Sequence, residues 1–548
     1  MTSQAESVLC RRAHGRYTVQ ITMQTEQDLA QLCIALIGDR SALSAAECRL
    51  AKARQQSLVE PFDVEPVRIA IENGADPLGD AFSLIRSTQV RRASGAVYTP
   101  HVIVRAMLSW LAAQGVPTRV VDPGAGSGRF ILAAGKAFPK AQLVAVEIDP
   151  LAALMLRANL AVRGMAKRAI VRVVDYRELE LPAADGMTAF VGNPPYVRHH
   201  DISAPWKAWY AARFADFGIK ASALAGLHLH FFLQTRLLAR PGDVGAFITS
   251  AEWMDVNYGS ALRRLFLEQL GGTDLHVLDP TVEAFPGIAT TAAITCFRVG
   301  ESVRDVRVRS VGDVVRLNGL ARGVDVPRER LASEPRWSVL IRPSVQAAGG
   351  TMELGELCRV HRGQVTGANG IWIAGVQADD LPERVKLPAV TKARDLIQAG
   401  SYLRSAELLR CVIDLPADLE DFTREEKRRI NAFLSWAKAQ GADQGYIARH
   451  RKAWWSVGLK APAPILCTYM ARRPPQFTLN ACGARHINIA HGLYPREPMS
   501  TDLQGKLVSW LNTNVSTASG RTYAGGLTKF EPKEIERLRI PMPHALVA

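Results

Sequence analysis

Two consecutive prolines between an asparagine and a tyrosine mark the segment of this sequence best suited to chemistry. In GNPPYVRHH, Asn193, Pro194, Pro195 and Tyr196 follow a short apolar run, Thr188–Val191. The prolines hold the chain extended and remove two N–H donors. What remains is a ridge of acceptors: the Asn193 side-chain oxygen and the Pro194 carbonyl. An amino group conjugated to an aromatic ring is a poor nucleophile, because its lone pair is delocalised. Two acceptors aimed at its two hydrogens draw it toward tetrahedral geometry and return electron density to the nitrogen. Tyr196 offers a face on which a base can stack.

Three further segments have the residues a nucleoside ligand requires. VVDPGAGSGRF carries Asp122 and Pro123 at the end of a strand, then Gly124, Gly126 and Gly128. Glycines allow a tight turn and a close approach of backbone to ligand. The GxGxG spacing differs from the GxGxxG of dinucleotide sites, and a purely structural turn would look the same. About 20 residues past the glycines, VAVEIDP places Glu147 near the end of the next strand, where a carboxylate accepts from both ribose hydroxyls. Asp149 reads as the N-cap of the helix that follows. VVDYRE puts Asp175 at the tip of a third strand, in position to accept from the amino group of an adenine ring. Alone it would be a turn residue; in series with Asp122 and Glu147 it reads as a ligand contact.

The elements that must position these residues alternate. Strands are expected at Arg119–Asp122, Leu143–Ile148, Ile170–Val174, Thr188–Val191, Val244–Thr249, Leu275–Leu278 and Thr291–Val299. Helices are expected from Arg129 and near Leu151–Arg163, His228–Ala239 and Ser260–Gln269. This alternation predicts an α/β fold, a mostly parallel sheet covered by helices on both faces. Ligands of such sheets bind at the carboxyl ends of the strands, where the four motifs fall. Residues 1–90 read as a helical region without chemistry, with no evident acidic cluster for a metal-dependent nuclease. Residues 91–300 form the α/β domain, 301–345 a connector, and 346–548 a less regular domain.

The motif series resembles the gamma class of N6-adenine DNA methyltransferases of restriction–modification systems, the NPPY family. GAVYTP (Gly95–Pro100), DPGAGSG, VEIDP, VVDY and NPPY occur in that class's order, before a C-terminal basic region. The resemblance implies a Rossmann-like S-adenosylmethionine-dependent domain followed by a mixed α+β target recognition domain. It implies that Tyr98, Thr99 and Pro100 lie beside the methionine end of the cofactor. Glu147 would be the ribose ligand and Asp175 the adenine ligand, with Tyr176 nearby. Asn193 and Pro194 would accept from the target amino group of a flipped-out adenine, and Tyr196 would stack on it. Phe285, in TVEAFPGIATT, would be a second stacking partner. The implied reaction is a direct transfer that needs neither a metal nor a covalent enzyme intermediate.

Charge and composition point to the same partner. The 548 residues carry a formal net charge of +15. Gly445–Lys529 alone holds eleven Lys and Arg against Glu497 and Asp502, a net of +9. Such a surface suits a polyanion, although the solvated face of a generally basic protein would look the same; the family resemblance implies double-stranded DNA. Arg451, Lys452, Arg472, Arg473, Arg485 and Lys529 are the candidate DNA contacts, whereas Trp454, Trp455 and Tyr469 read as core. The eight scattered cysteines form no CxxC or Cys/His group, so they read as reduced cytosolic thiols and not as a metal site. No apolar run reaches the roughly 18 residues of a membrane helix, and the first residues lack a signal-peptide core. A cytoplasmic enzyme with a separately encoded restriction endonuclease is expected. The rival readings are a protein glutamine methyltransferase, an RNA adenine methyltransferase and a non-catalytic DNA-binding subunit. If the basic segment contacts phosphates, affinity for duplex DNA falls steeply with salt; a flat response in filter binding from 50 to 200 mM salt, roughly the range over which such contacts are weakened, contradicts that.

Overall fold

A computed structural model describes residues 25–52, 63–86, 99–278, 291–317, 320–341, 351–523 and 527–547. They divide into two compact units, residues 1–344 and 345–548.

The first unit is built on a nine-stranded sheet of order β3-β2-β1-β4-β5-β7-β6-β8-β9. The strands are β1 Arg119–Pro123, β2 Gln142–Val146, β3 Ala169–Arg172, β4 Thr188–Gly192 and β5 Val244–Ser250. They continue as β6 Gly272–Leu278, β7 Ala292–Arg298, β8 Asp305–Val311 and β9 Val324–Pro327. Strands β3, β2, β1, β4 and β5 are parallel to one another. β7 lies antiparallel between β5 and β6.

Alternate residues of the central strands enter two separate cores. Val121, Val144, Phe190 and Phe247 face one; Val120, Ala145, Val191 and Ile248 face the other. This is the period-2 signature of a sheet covered on both sides. Helices α8 Ala204–Ala215, α9 Leu227–Leu238 and α10 Ser260–Glu268 cover the first face. Helices α5 His101–Gln114 and α6 Arg129–Ala137 cover the second. The α5 stripe of Ile103, Met107, Trp110 and Leu111 is the helical spacing of a buried face.

Two expectations are revised by this architecture. Residues 301–345 are not a plain connector: β8 pairs parallel with β6, and β9 closes the edge antiparallel to β8. The RDVRVRS segment alternates buried Val306 and Val308 with charged residues, the period-2 pattern of a strand with one buried face. The Arg307 guanidinium donates to Asp274 Oδ1 at 3.0 Å, and Trp110 Nε1 to Asp274 Oδ2 at 3.0 Å, tying β8, β6 and α5 together.

Nor do the described residues among the first 90 stand apart. Helices α1 Glu26–Ile37, α2 Ala45–Lys52, α3 Glu65–Glu72 and α4 Pro77–Ile85 precede α5 and share a core with α7, Pro150–Val162. Leu151, Leu154, Met155 and Ala158 of α7 meet the N-terminal helices, while Leu156 and Leu160 meet the sheet's core. A helix packed on both sides is apolar nearly all round, which accounts for LAALMLRANLAV.

The second unit is mixed α+β. Its largest sheet joins Cys358–Arg362, Ala490–Pro495, Ile465–Thr468, Phe477–Asn480 and Tyr402–Leu403 in that order, with only the last pair parallel. Helix Arg424–Ala439 buries Ile430, Phe433 and Ala437 in a second core with Trp372. Among the described residues no helix is long and apolar enough to cross a membrane.

In the first unit, fully buried Glu47 of α2 pairs with Arg157 of α7, Nε to Oε1 at 2.7 Å. Removing one member of a buried pair strands the other charge, at a cost of about 3 kcal/mol. Glu47→Ala is therefore expected to lower the urea midpoint clearly; a midpoint equal to wild type would contradict integration of the N-terminal helices.

Candidate active site

The strand order reverses between β1 and β4, and the cleft of the first unit opens there, beyond their carboxyl ends. It encloses about 1030 Å³ of empty volume, part of it open to solvent.

The glycine loop forms one wall. Gly124 and Ala125 both donate to the Val146 carbonyl at 2.9 Å, folding the loop over the end of β2. Gly124 has φ +75°, and a Cβ there would lie 3.5 Å from Pro195 Cδ and 3.6 Å from Phe231. The loop and the Asn-Pro-Pro-Tyr turn are thus one methyl group apart. Gly128, at φ +100°, starts α6, and a Cβ there would sit 2.6 Å from Leu156 Cδ1. Gly128 serves helix packing and does not line the cleft.

Asp122 is buried beneath the loop and does not line the cleft either. Its Oδ2 accepts from Ile131 N–H at 3.1 Å, fixing the first turn of α6. Burial pushes its pKa far above the ordinary carboxylate range. Pro123 ends β1 outside the lining, and Pro100 is the N-cap of α5.

Glu147 lies on the cleft wall, with Oε2 accepting from Gly126 N–H at 2.8 Å and Oε1 from Asp149 N–H at 2.9 Å. A carboxylate has about four acceptor sites over its two oxygens, so these bonds do not exhaust its capacity. Burial raises its pKa, partly offset by those two N–H groups. Asp149 caps α7 through Leu151 N–H at 2.9 Å.

β3 ends at Arg172, so Asp175 stands on a turn beyond the expected strand. Its Oδ1 accepts from Arg177 Nε at 2.9 Å and its Oδ2 from Arg177 Nη2 at 2.6 Å. Burial works against its charge, but the Arg177 hydrogen bonds outweigh it and hold its pKa below the usual range. The Arg177 guanidinium in turn lies 3.9 Å over the Trp206 ring. Tyr176 lines the cleft, its ring 4.9 Å from Phe231 and its hydroxyl 2.9 Å from Thr235 Oγ1.

Thr99 and Asn193 meet at the cleft: Asn193 Nδ2 donates to Thr99 Oγ1 at 3.1 Å. That bond occupies the amide's donor end and leaves Oδ1 as its acceptor end. Pro195 lines the cleft; Pro194 is buried behind it, and Tyr196 packs partly buried against the core, 6.1 Å edge-on from His228. Burial pulls the His228 pKa to about 4, so that ring is neutral at neutral pH. Tyr98 and Phe285 lie outside the described residues.

Sequence reasoning missed Phe82, Arg129, Ile148 and Phe231, all on the cleft wall. Ile148 is 65% exposed there, an apolar surface for a flat ring. Its position directly after Glu147 was an available signal. Phe82 carries no local signal at all.

In the second unit the expected DNA contacts separate into two sets. Lys452, Arg472 and Arg473 are exposed. Arg451 instead donates to the Val365 and Thr366 carbonyls at 2.7 and 3.0 Å, Arg485 donates to the Lys460 carbonyl, and Lys529 pairs with Glu531. These three hold loops in place. Trp454 and Trp455 pack on the Trp372 core, and Tyr469 stacks on His491 at 4.6 Å.

Known proteins match both units. The family described as type II methyltransferase M.Eco57I, C-terminal domain, matches residues 338–548, and Eco57I restriction-modification methylase matches 176–278. The chain is 69% identical over 529 residues to type II methyltransferase M.XamI of Xanthomonas campestris pv. amaranthicola, covering 95% of this chain and 99% of that one. It is 19% identical over 480 residues to type II methyltransferase M.AccI of Acinetobacter calcoaceticus, covering 82% and 86%. The solved structure of the type IIL restriction-modification enzyme MmeI in complex with DNA is similar in fold, with a TM-score of 0.58, 13% identity, and coverage of 93% of this chain and 79% of that one.

A carboxylate with a raised pKa loses its charge at higher pH than an exposed glutamate, whereas Asp175, with a lowered one, stays charged in that window. If the cleft takes a nucleoside ligand such as S-adenosylmethionine, its affinity is therefore expected to weaken on acidification while the pH is still above 4.5, the ordinary glutamate value. Glu147→Gln should bind weakly without that dependence. Calorimetric titration checks this, and a pH-independent wild-type affinity contradicts it.

Proposed function

The chain belongs to the type II DNA methyltransferases of restriction–modification systems, and on that premise we propose that it methylates N6 of adenine in duplex DNA. The cofactor is S-adenosylmethionine, and the biological partner is a separately encoded restriction endonuclease of the same specificity. The observation that supports this reading most is the shared cleft: the Asn193 amide and Pro195 stand on the same cavity as Gly124, Gly126, Glu147 and Asp175.

The lining fits the cofactor. Gly124 leaves open the space its own Cβ would fill, Glu147 and Asp175 supply acceptors for hydroxyl and amino donors, and Ile148, Tyr176 and Phe231 supply apolar surface. When bound, S-adenosylmethionine supplies a methyl group made electrophilic by the adjacent sulfonium. Glu147 accepts from the ribose hydroxyls, and Asp175 from the adenine amino group through an acceptor site that Arg177 does not fill.

The target base must leave the duplex, because its amino group cannot reach a cleft of this kind while stacked. Unstacking costs a few kcal/mol; Tyr196 and Phe285 offset part of it by stacking on the ring. Asn193 Oδ1 and the Pro194 carbonyl accept from the two amino hydrogens. The Thr99 bond to Nδ2 fixes which end of the amide donates and so leaves Oδ1 as its acceptor. Catalysis then rests on position and on acceptors fixed in advance. Lys452, Arg472 and Arg473 are the proposed phosphate contacts of the second unit.

Asn193→Ala is expected to bind S-adenosylmethionine and duplex DNA as wild type does. Its turnover should fall by about 10²-fold or more, the usual loss when one preorganised hydrogen-bond partner is removed. Transfer of tritiated methyl to duplex DNA measures this; an unchanged rate rules out the assigned role.

A further inference from the structure

The N-terminal helices meet the segments bordering the cleft through two charged side chains and its wall through one ring. Asp76, only 8% exposed, is the N-cap of α4, its Oδ1 accepting from Gly79 N–H at 3.0 Å. Its Oδ2 accepts from Ser127 Oγ of the glycine loop at 2.7 Å and from Nε of Arg129, the first residue of α6, at 2.8 Å. Ser127 is itself buried, and its carbonyl accepts from Asn159 Nδ2 at 2.8 Å.

At the other end of α4, the C-cap Arg86 pairs with Asp149 on the acidic turn and with Glu26 of α1, the latter at 2.7 Å. Between the two charges, Phe82 of the same helix lines the cleft. One helix therefore grips both loops that bear the nucleoside contacts.

The grip continues toward the reacting end. Arg129 Nη1 donates to the Thr99 carbonyl at 3.4 Å, and Thr99 Oγ1 accepts from Asn193 Nδ2. A polar path runs from α4 to the Asn-Pro-Pro-Tyr turn without leaving described residues. Packing alone does not require it. Buried charges are costly unless paired, and apolar side chains would join these layers as well.

We propose that α4 is a clamp on the cofactor site: Asp76 and Arg86 are positioning residues that hold the glycine loop and the acidic turn in their binding form, and Phe82 is part of the wall facing S-adenosylmethionine. This rests on the reading that the cleft holds that cofactor. Linkage makes it reciprocal: if the clamp favours the cofactor, the cofactor must hold the clamp.

The test uses the full chain. Asp76→Asn keeps an oxygen for Gly79 N–H and remains a good N-cap. Its amide nitrogen cannot accept from Arg129 Nε, so the change breaks the clamp and spares the helix. Arg86→Gln breaks the other end. Each variant is expected to bind S-adenosylmethionine about tenfold more weakly by calorimetry, within the usual range of coupling between sites. Affinity for duplex DNA without cofactor should be retained. In the wild type, adding S-adenosylmethionine should slow amide hydrogen exchange in residues 63–86, a response that a merely structural layer would not give. Wild-type cofactor affinity in both variants, or exchange in 63–86 indifferent to cofactor, overturns the clamp alone. A wild-type chain that binds no S-adenosylmethionine overturns the reading of the cleft, and the clamp with it.

Discussion

The ends of β1 and β4 approach so closely that the chains leaving them are separated by no more than the width of a methyl group. Gly124 and Pro195 meet there, and a single Cβ at Gly124 would already be in van der Waals contact with the proline ring. Neighbouring strands of a sheet are about 4.8 Å apart, so strand geometry sets this distance before any ligand arrives. Glycine supplies the positive φ on one side, and proline supplies the fixed extended backbone on the other. The rest of the site is arranged around that contact: the carboxylates Glu147 and Asp175 follow from β2 and β3, and the Asn193 amide from β4.

Electrostatics divide the site in a consistent way. Asp122, buried and with its pKa pushed well up by that burial, lies outside the cleft lining and serves the backbone of α6. Glu147 and Asp175, at the wall, each have local partners that favour the charged form. The His228 ring beside Tyr196 is held neutral by burial. The two units divide labour similarly, one holding the cleft, the other presenting exposed basic side chains on a scaffold braced by Arg451, Arg485 and Lys529.

What could be read from the sequence followed from backbone constraint. The strands β1, β2, β4 and β5, the helices after them and the sites of the glycine and proline turns are written in local patterns that a Gly, a Pro or an alternating apolar run enforces. The Val-Arg alternation of β8 was equally local, but its charge made it resemble a linker. The antiparallel placement of β7 depends on how its chain returns to the sheet, which no residue within the strand encodes. The least legible features are long-range hydrogen bonds. Asp76 and Ser127 are 51 residues apart, and Thr99 and Asn193 are 94 apart. No spacing rule connects such pairs, so the N-terminal helices looked inert. Arg451 and Lys529 were misleading for a related reason: composition reveals a cation but not whether a carbonyl or a carboxylate of the same chain already holds it.

Two oxygen acceptors can grip any planar conjugated NH₂ group, so the identity of the methylated group is the most exposed point of this account. Mass spectrometry of the nucleosides recovered from duplex DNA, after incubation with the purified chain and deuterium-labelled S-adenosylmethionine, addresses it directly. The account predicts the label in N6-methyladenine; label in a methylated cytosine, or DNA left unlabelled while RNA or protein takes up the methyl group, would contradict it.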